Sequence, residues 1–350
     1  MNKKTIILSA AAALALAACG GGGSGSTATP AVANLTVPVV ATPVVAAVTA
    51  SSIVNAVPAP VYAVASEELA AFNLLNAERS RCGFGLLAQN PQLDVAARGH
   101  ADWLLTNNYA GHYQVTGTLL FTGVTPDDRI TAAGYGNSGT FSSTDDLSSA
   151  FGTNTKTGMG ESQTRGLLNA PYHMVGLLGT FRDIGIAVRN SIDTASAFGP
   201  RVNLQFDLAY KTGAGPQLLG GSEVQTYPCA GSTGIDRLLS NERPNPVPGR
   251  DLATMPLGSS VYIAVREGQT LAITSTSMIK VATGVAVTLR APLTKATDPN
   301  GSATAYFFGL HQAVVSADAP LDPNSAYQVT ITGTNNGTAF SRTFSFKTGT

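Results

Sequence analysis

The first nineteen residues constrain the rest of the chain most. Met1-Asn2-Lys3-Lys4 leads into an apolar run from Thr5 to Ala18, rich in Ala and Leu, and then Cys19. Two cations, a short apolar core and small residues are the layout of an export signal. A helix needs about 20 apolar residues to stay in a bilayer, and this run is shorter. The chain beyond residue 18 is therefore expected to fold outside the cytosol, where spare thiols are more often joined than free. The chain has 350 residues and three cysteines; with Cys19 at the signal boundary, Cys82 and Cys229 remain. Apolar residues make up 44% and charged residues 12%, with zero formal net charge and no Lys/Arg cluster. That is enough apolar material for sizeable cores. It is too little charge for a disordered chain or a nucleic-acid partner.

Leu16-Ala17-Ala18-Cys19-Gly20 resembles a lipobox, in which the cysteine thiol takes a diacylglycerol and becomes the new N-terminus. The resemblance implies a signal peptide over 1–18 and a membrane partner through lipid on Cys19. It places the protein in the cell envelope, at the outer membrane or cell surface, since Gly20 rather than Asp comes after the cysteine. From Gly20 the chain is Gly/Ser-rich, then Ala/Val/Pro/Thr-rich, with no charged side chain before Glu67. Residues 19–65 read as a tether. Its valines make it less polar than an ordinary linker, so part of it is expected to lie against a domain.

Ser66 can cap a helix, with Glu67 and Glu68 favourable in its first turn and Leu69, Phe72 and Leu75 at near-helical spacing. Asn90-Pro91 opens a second helix. Leu93, Ala96, Ala97, His100, Ala101 and Leu104 form one face of it. Ile184, Ile186 and Val188 alternate, as do Val202, Leu204, Phe206, Leu208 and Tyr210, which predicts two strands. Helices first and strands after indicate α+β. Asp145 and Asp146 fall in a Ser/Thr/Gly-rich stretch that reads as an exposed loop. Gly213–Gly221 breaks the pattern, and Pro244, Pro246 and Pro248 mark an extended segment. Short strand-like runs come next at Ser259–Val265, Thr270–Thr276, Val285–Leu289, Ala303–Phe308, Ala326–Thr332 and Phe340–Thr348, the spacing of a β-sandwich.

Five stretches in order resemble the CAP or SCP family, the cysteine-rich secretory, antigen-5 and pathogenesis-related proteins. They are Asn76-Ala-Glu-Arg79 with Gly83-Phe-Gly85, Asn90-Pro-Gln-Leu93 through His100, Gly111-His112, Arg129 through Gly134-Tyr135, and Ala170-Pro171-Tyr172-His173 with Asp183-Ile-Gly185. The resemblance covers roughly residues 66–212 and implies a three-layer α-β-α sandwich. It implies a cleft lined by two histidines, here His112 and His173, and usually by two acidic residues. The family's Gly-Glu-Asn motif is absent, Met174 stands where an Arg is usual, and Glu161 is the only glutamate shortly before His173. Two imidazoles and a carboxylate could bind Zn²⁺ or another divalent cation, act as acid and base, or shape a binding cleft. His100 is expected to be a core histidine with one hydrogen bond, Trp103 a packing residue, and His311 a histidine with no acidic neighbour at useful spacing. No serine-hydrolase elbow and no nucleotide-binding glycine loop is present.

Leu321-Asp-Pro323 through Tyr327-Gln-Val329-Thr-Ile331 resembles a segment of fibronectin-type and bacterial Ig-like domains. There a Tyr hydroxyl bonds back to the backbone at a corner. The expected organisation is a CAP domain over 66–225, followed by an all-β Ig-like sandwich over 226–350. Cys82 and Cys229 both fall at the edge of the first domain and are expected to join. Three functions fit: a cleft for a small, lipid-like or cell-wall-derived ligand, a metal-dependent hydrolase of envelope material, or a surface adhesion module.

Overall fold

Local signals start the first two helices where the sequence places them. The Ser66 hydroxyl accepts the Leu69 N–H at 3.2 Å and opens α1 (Glu67–Arg81). After the short strand β1 (Ala88–Gln89), the Asn90 side chain accepts the N–H groups of Gln92 and Leu93 and opens α2 (Pro91–Asn107). Thr125 and Asp128 form a reciprocal capping box at α3 (Pro126–Ala132), which satisfies two otherwise orphaned N–H groups. The computed structural model describes residues 49–149, 156–197, 200–301 and 308–350. The expected export signal, Cys19, the first part of the expected tether and most of the Ala303–Phe308 run lie outside the described residues.

The remaining elements of the first region are β2 (Asn137–Ser149), α4 (Met159–Leu167), α5 (Pro171–Leu177), β3 (Asp183–Asn190) and β4 (Arg201–Lys211). The sheet order is β1-β3-β4-β2, with β1 parallel to β3 and the other pairs antiparallel. Strand alternation divides its two faces. Ile184, Ile186, Val188, Leu204, Phe206 and Leu208 pack with Phe72 and Leu75 of α1, Leu167 of α4 and Leu177 of α5. On the other face Ala209 packs with Leu93 and Ile130, and Ala187 with Ala97 and Ala101 of α2. The result is helix, sheet, helix. Close approach of α2 requires Gly185, where a Cβ would fall inside the backbone of Leu93 and Asp94.

The structure corrects one expectation in this region. The stretch holding Asp145 and Asp146 is not a loop but part of β2, with Asp145 opposite Gln205 and Asp146 opposite Leu204. Its Ser, Thr and Asp content reads as a turn, and only the distant strand β4 supplies its pairing.

The Asn76 and Arg79 motif is structural. The Asn76 amide brackets the Leu87 backbone with bonds of 3.0 and 2.9 Å. The fully buried Arg79 guanidinium donates to the carbonyls of Phe84, Gly85, Leu177 and Gly179. One planar donor thus satisfies four backbone acceptors and ties α5 to the turn after α1.

The second region holds β5 (Gln225–Tyr227), β6 (Ser260–Ala264), β7 (Leu271–Lys280), β8 (Leu293–Thr294), β9 (Gln312–Ser316), β10 (Ala326–Asn335) and β11 (Thr338–Lys347). They form two antiparallel sheets, β11-β10-β7 and β5-β6-β9-β8. The expected Val285–Leu289 strand is reduced to isolated bridges at Ala286 and Leu289. The Tyr327 hydroxyl accepts the Asp322 N–H at 2.9 Å, and Tyr327, Val329 and Ile331 are buried. Residues 47–350 make one compact unit, and buried side chains from both regions form one continuous cluster. Phe84 meets Tyr262 with ring centroids 5.7 Å apart. Cys82 and Cys229 are bonded, with Cα atoms 5.5 Å apart.

Part of the tether does lie on the body. Ser52 N–H donates to Leu218 O, Leu86 N–H to Val54 O, and the Tyr62 hydroxyl to Asp94.

Candidate functional site

His173 sits in the first turn of α5, which opens with Pro171 at its start. Proline fits there because the first N–H of a helix has no intrahelical partner. The next orphaned N–H, that of Tyr172, donates to Glu242 Oε1 at 3.0 Å. The same carboxylate oxygen lies 3.1 Å from His173 Nδ1. Glu242 comes from the proline-rich stretch of the second region, 69 residues after His173. Its side chain has no solvent exposure, and Oε2 has no hydrogen-bond partner among the described residues.

A buried carboxylate is costly unless it is paired and hydrogen-bonded. Here one oxygen serves both a backbone N–H and an imidazole. Because a carboxylate only accepts, Nδ1 carries the proton toward it, and the lone pair of the neutral ring resides on Nε2. That arrangement fixes both ring orientation and tautomer, as an acid–base or ligand-binding histidine requires.

Neighbouring residues fix the approach of the second region. Tyr172 donates its hydroxyl proton to Asp298 Oδ1 at 2.6 Å and accepts from Asn300 Nδ2 at 2.7 Å. Burial and the Asp298 carboxylate both raise the Tyr172 pKa, so the phenol stays protonated. Asn169 spans the same seam, donating to Leu238 O and accepting from Ser260 N–H.

The other expected site residues are distributed differently. His112 lies in the loop between α2 and α3, half-buried, and its carbonyl accepts from Arg129 at 3.0 Å. Glu161 lies on α4 and pairs with Arg165 at 2.8 Å, its side chain 57% exposed. It lines a cavity of about 670 Å³ with Asp236, Arg237 and Lys347, and neither histidine lines that cavity. Among the described residues no three His, Cys, Asp or Glu side chains gather to hold one ion. Glu161 and the two histidines are thus not gathered in one group of the described residues.

His100 is wholly buried and makes two ring contacts, with Gly111 O at 3.1 Å and Gln114 Nε2 at 3.2 Å. Trp103 is buried and also donates to Thr118 Oγ1. His311 has an acidic neighbour after all: it shares a small cavity with Glu267. Burial lowers the His311 pKa, and the Glu267 charge acts the other way.

Sequence reasoning missed Glu242. The one signal was its isolation, since it is the only acidic residue between Asp236 and Asp251.

Residues 72–192 match the CAP family, described as the cysteine-rich secretory protein family. A crystal structure of an extracellular protein containing a SCP domain, from Bacillus anthracis str. Ames, is 23% identical. That match covers 41% of this chain and 40% of the other, with a TM-score of 0.31. A comparison with curated proteins finds no match. Beyond the CAP region, residues 193–350 stand outside the family match and supply Glu242, Asp298 and Asn300.

Proposed function

We propose that this chain is an exported lipoprotein, held at the cell envelope through lipid on Cys19. Its CAP region binds a small ligand, lipid-like or cell-wall-derived, at His173 and Glu242. The second region, an Ig-like module in this reading, completes the site rather than merely carrying it. The observation behind the proposal is the buried Glu242 carboxylate against His173. A charged group kept in the interior and shared by two donors indicates a site more than a stabilising contact. Its chemistry suits a hydroxyl or amide N–H of a ligand, which can donate to the lone pair on His173 Nε2 of the neutral ring.

The test is retention. Mature protein incubated with envelope extract, washed and solvent-extracted is expected to release a defined compound by mass spectrometry. Glu242→Gln and His173→Ala are expected to reduce the yield at least about tenfold, the loss of a buried charged hydrogen bond. Equal retention by wild type and both variants would contradict the site, and so would no retention by any of them. Anchoring is read separately, since Cys19→Ser must abolish fatty-acid labelling.

A further inference from the structure

The loop from Tyr109 to Val124 contains no Asp, Glu, Lys or Arg. Seven of the fifteen large apolar side chains exposed among the described residues belong to it. Leu119 is 73% exposed, Tyr113 65% and Leu120 52%, and Phe121 adjoins them. Scattered exposed apolar residues are ordinary, but a contiguous uncharged group is not.

The loop is held from beneath. Trp103 Nε1 donates to Thr118 Oγ1 at 2.7 Å, Asn107 Nδ2 to Leu119 O at 2.9 Å, and Gln114 N–H to Val124 O at 2.9 Å. Gln114 Oε1 accepts the Thr122 N–H at 2.8 Å. Leu120 holds a φ of 57°, in the left-handed region that a residue with a Cβ enters at a cost. Buried polar side chains thus fix a backbone whose apolar side chains face water.

We infer that this loop is a membrane-contact surface, its Leu119-Leu120-Phe121 tip entering the interface of a lipid bilayer. Tyr109 and Tyr113, exposed on the same loop, suit headgroup depth, where an aromatic ring with a polar end is favoured. The missing charges remove the largest desolvation cost of entering a bilayer. At the tip itself the Leu119 carbonyl is paired with Asn107, which lowers the cost of taking that group out of water. The inference rests on the lipid-anchored reading above, because a diacylglycerol on Cys19 would hold the chain at a bilayer surface and keep this loop beside it. About 30 residues separate Cys19 from Thr49, enough to span on the order of 100 Å when extended. The anchor therefore leaves the loop within reach of the surface.

The test uses the mature protein with Leu120→Cys or Val285→Cys. Each supplies the single free thiol, because Cys19 is acylated and Cys82 is bonded to Cys229. Val285 is 62% exposed on the second region. Each variant carries an environment-sensitive fluorophore and is mixed with phosphatidylethanolamine–phosphatidylglycerol vesicles, with or without brominated acyl chains. The expected result is a blue shift and at least about twofold bromine quenching at position 120, neither at 285, and both retained in high salt. Protein that floats with the vesicles while the probe at 120 stays water-exposed overturns the inference and leaves the anchor standing. A probe at 120 that is already shielded without lipid means that a second copy or the tether covers the loop, which also overturns it. Protein that neither floats nor shifts overturns both readings.

Discussion

Asp236 shows how one burial changes a residue's contribution with pH. Burial raises its carboxyl pKa to about 6, and the nearby Arg165 charge only partly opposes this. A folded pKa above the unfolded value means that the protonated form is the better fit. The contribution to stability is therefore fully present below about pH 4 and is lost as pH rises through about 6. At pH 7.5 the charged form disfavours the fold by on the order of 3 kcal/mol. Asp236→Asn is expected to raise Tm at pH 7.5 and to leave it nearly unchanged at pH 4. Equal shifts at both pH values would show that the carboxyl is not perturbed.

At the scale of elements, the features legible in the sequence were those that are locally determined. Ser66 and Asn90 cap their helices with their own side chains, so the helix starts depend on a few adjacent residues. The β3 and β4 alternation is visible because one face is wholly apolar. Strand β2 was not legible, because its residues resemble a turn and a partner strand more than fifty residues later decides the outcome. Glu242 was not legible for the same reason on a larger scale. Its partner is 69 residues away, and only the docking of the two regions brings them together. The sequence reading set Glu161 beside the two histidines, and in the fold Glu161 pairs with Arg165 on α4. The Cys82–Cys229 bond closes a loop across that docking, with a sequence separation of 147. In the chain-entropy model such a loop contributes on the order of 5 kcal/mol. Replacing both cysteines by serine should lower the unfolding free energy in denaturant by about that amount, or by less if the unfolded chain keeps structure. Thiol titration of the denatured, unreduced wild type should find neither Cys82 nor Cys229 free. Two reactive thiols there would refute the bond.

Over the whole molecule, the two regions behave as one body. Their buried side chains form one cluster, a disulfide joins them, and Tyr172, Asn169 and His173 of the CAP region each bond to the second region. The proposed site therefore draws on both regions. The CAP region supplies the histidine, and the second region supplies the carboxylate that orients it. The most direct test is long-range ¹H–¹⁵N correlation NMR of the imidazoles in the intact protein, assigned by His173→Gln. The account predicts that His173 carries its proton on Nδ1 in the neutral ring and that Glu242→Gln shifts this signal and alters the tautomer balance. A His173 protonated on Nε2 in the neutral ring, with a spectrum indifferent to Glu242→Gln, would contradict it.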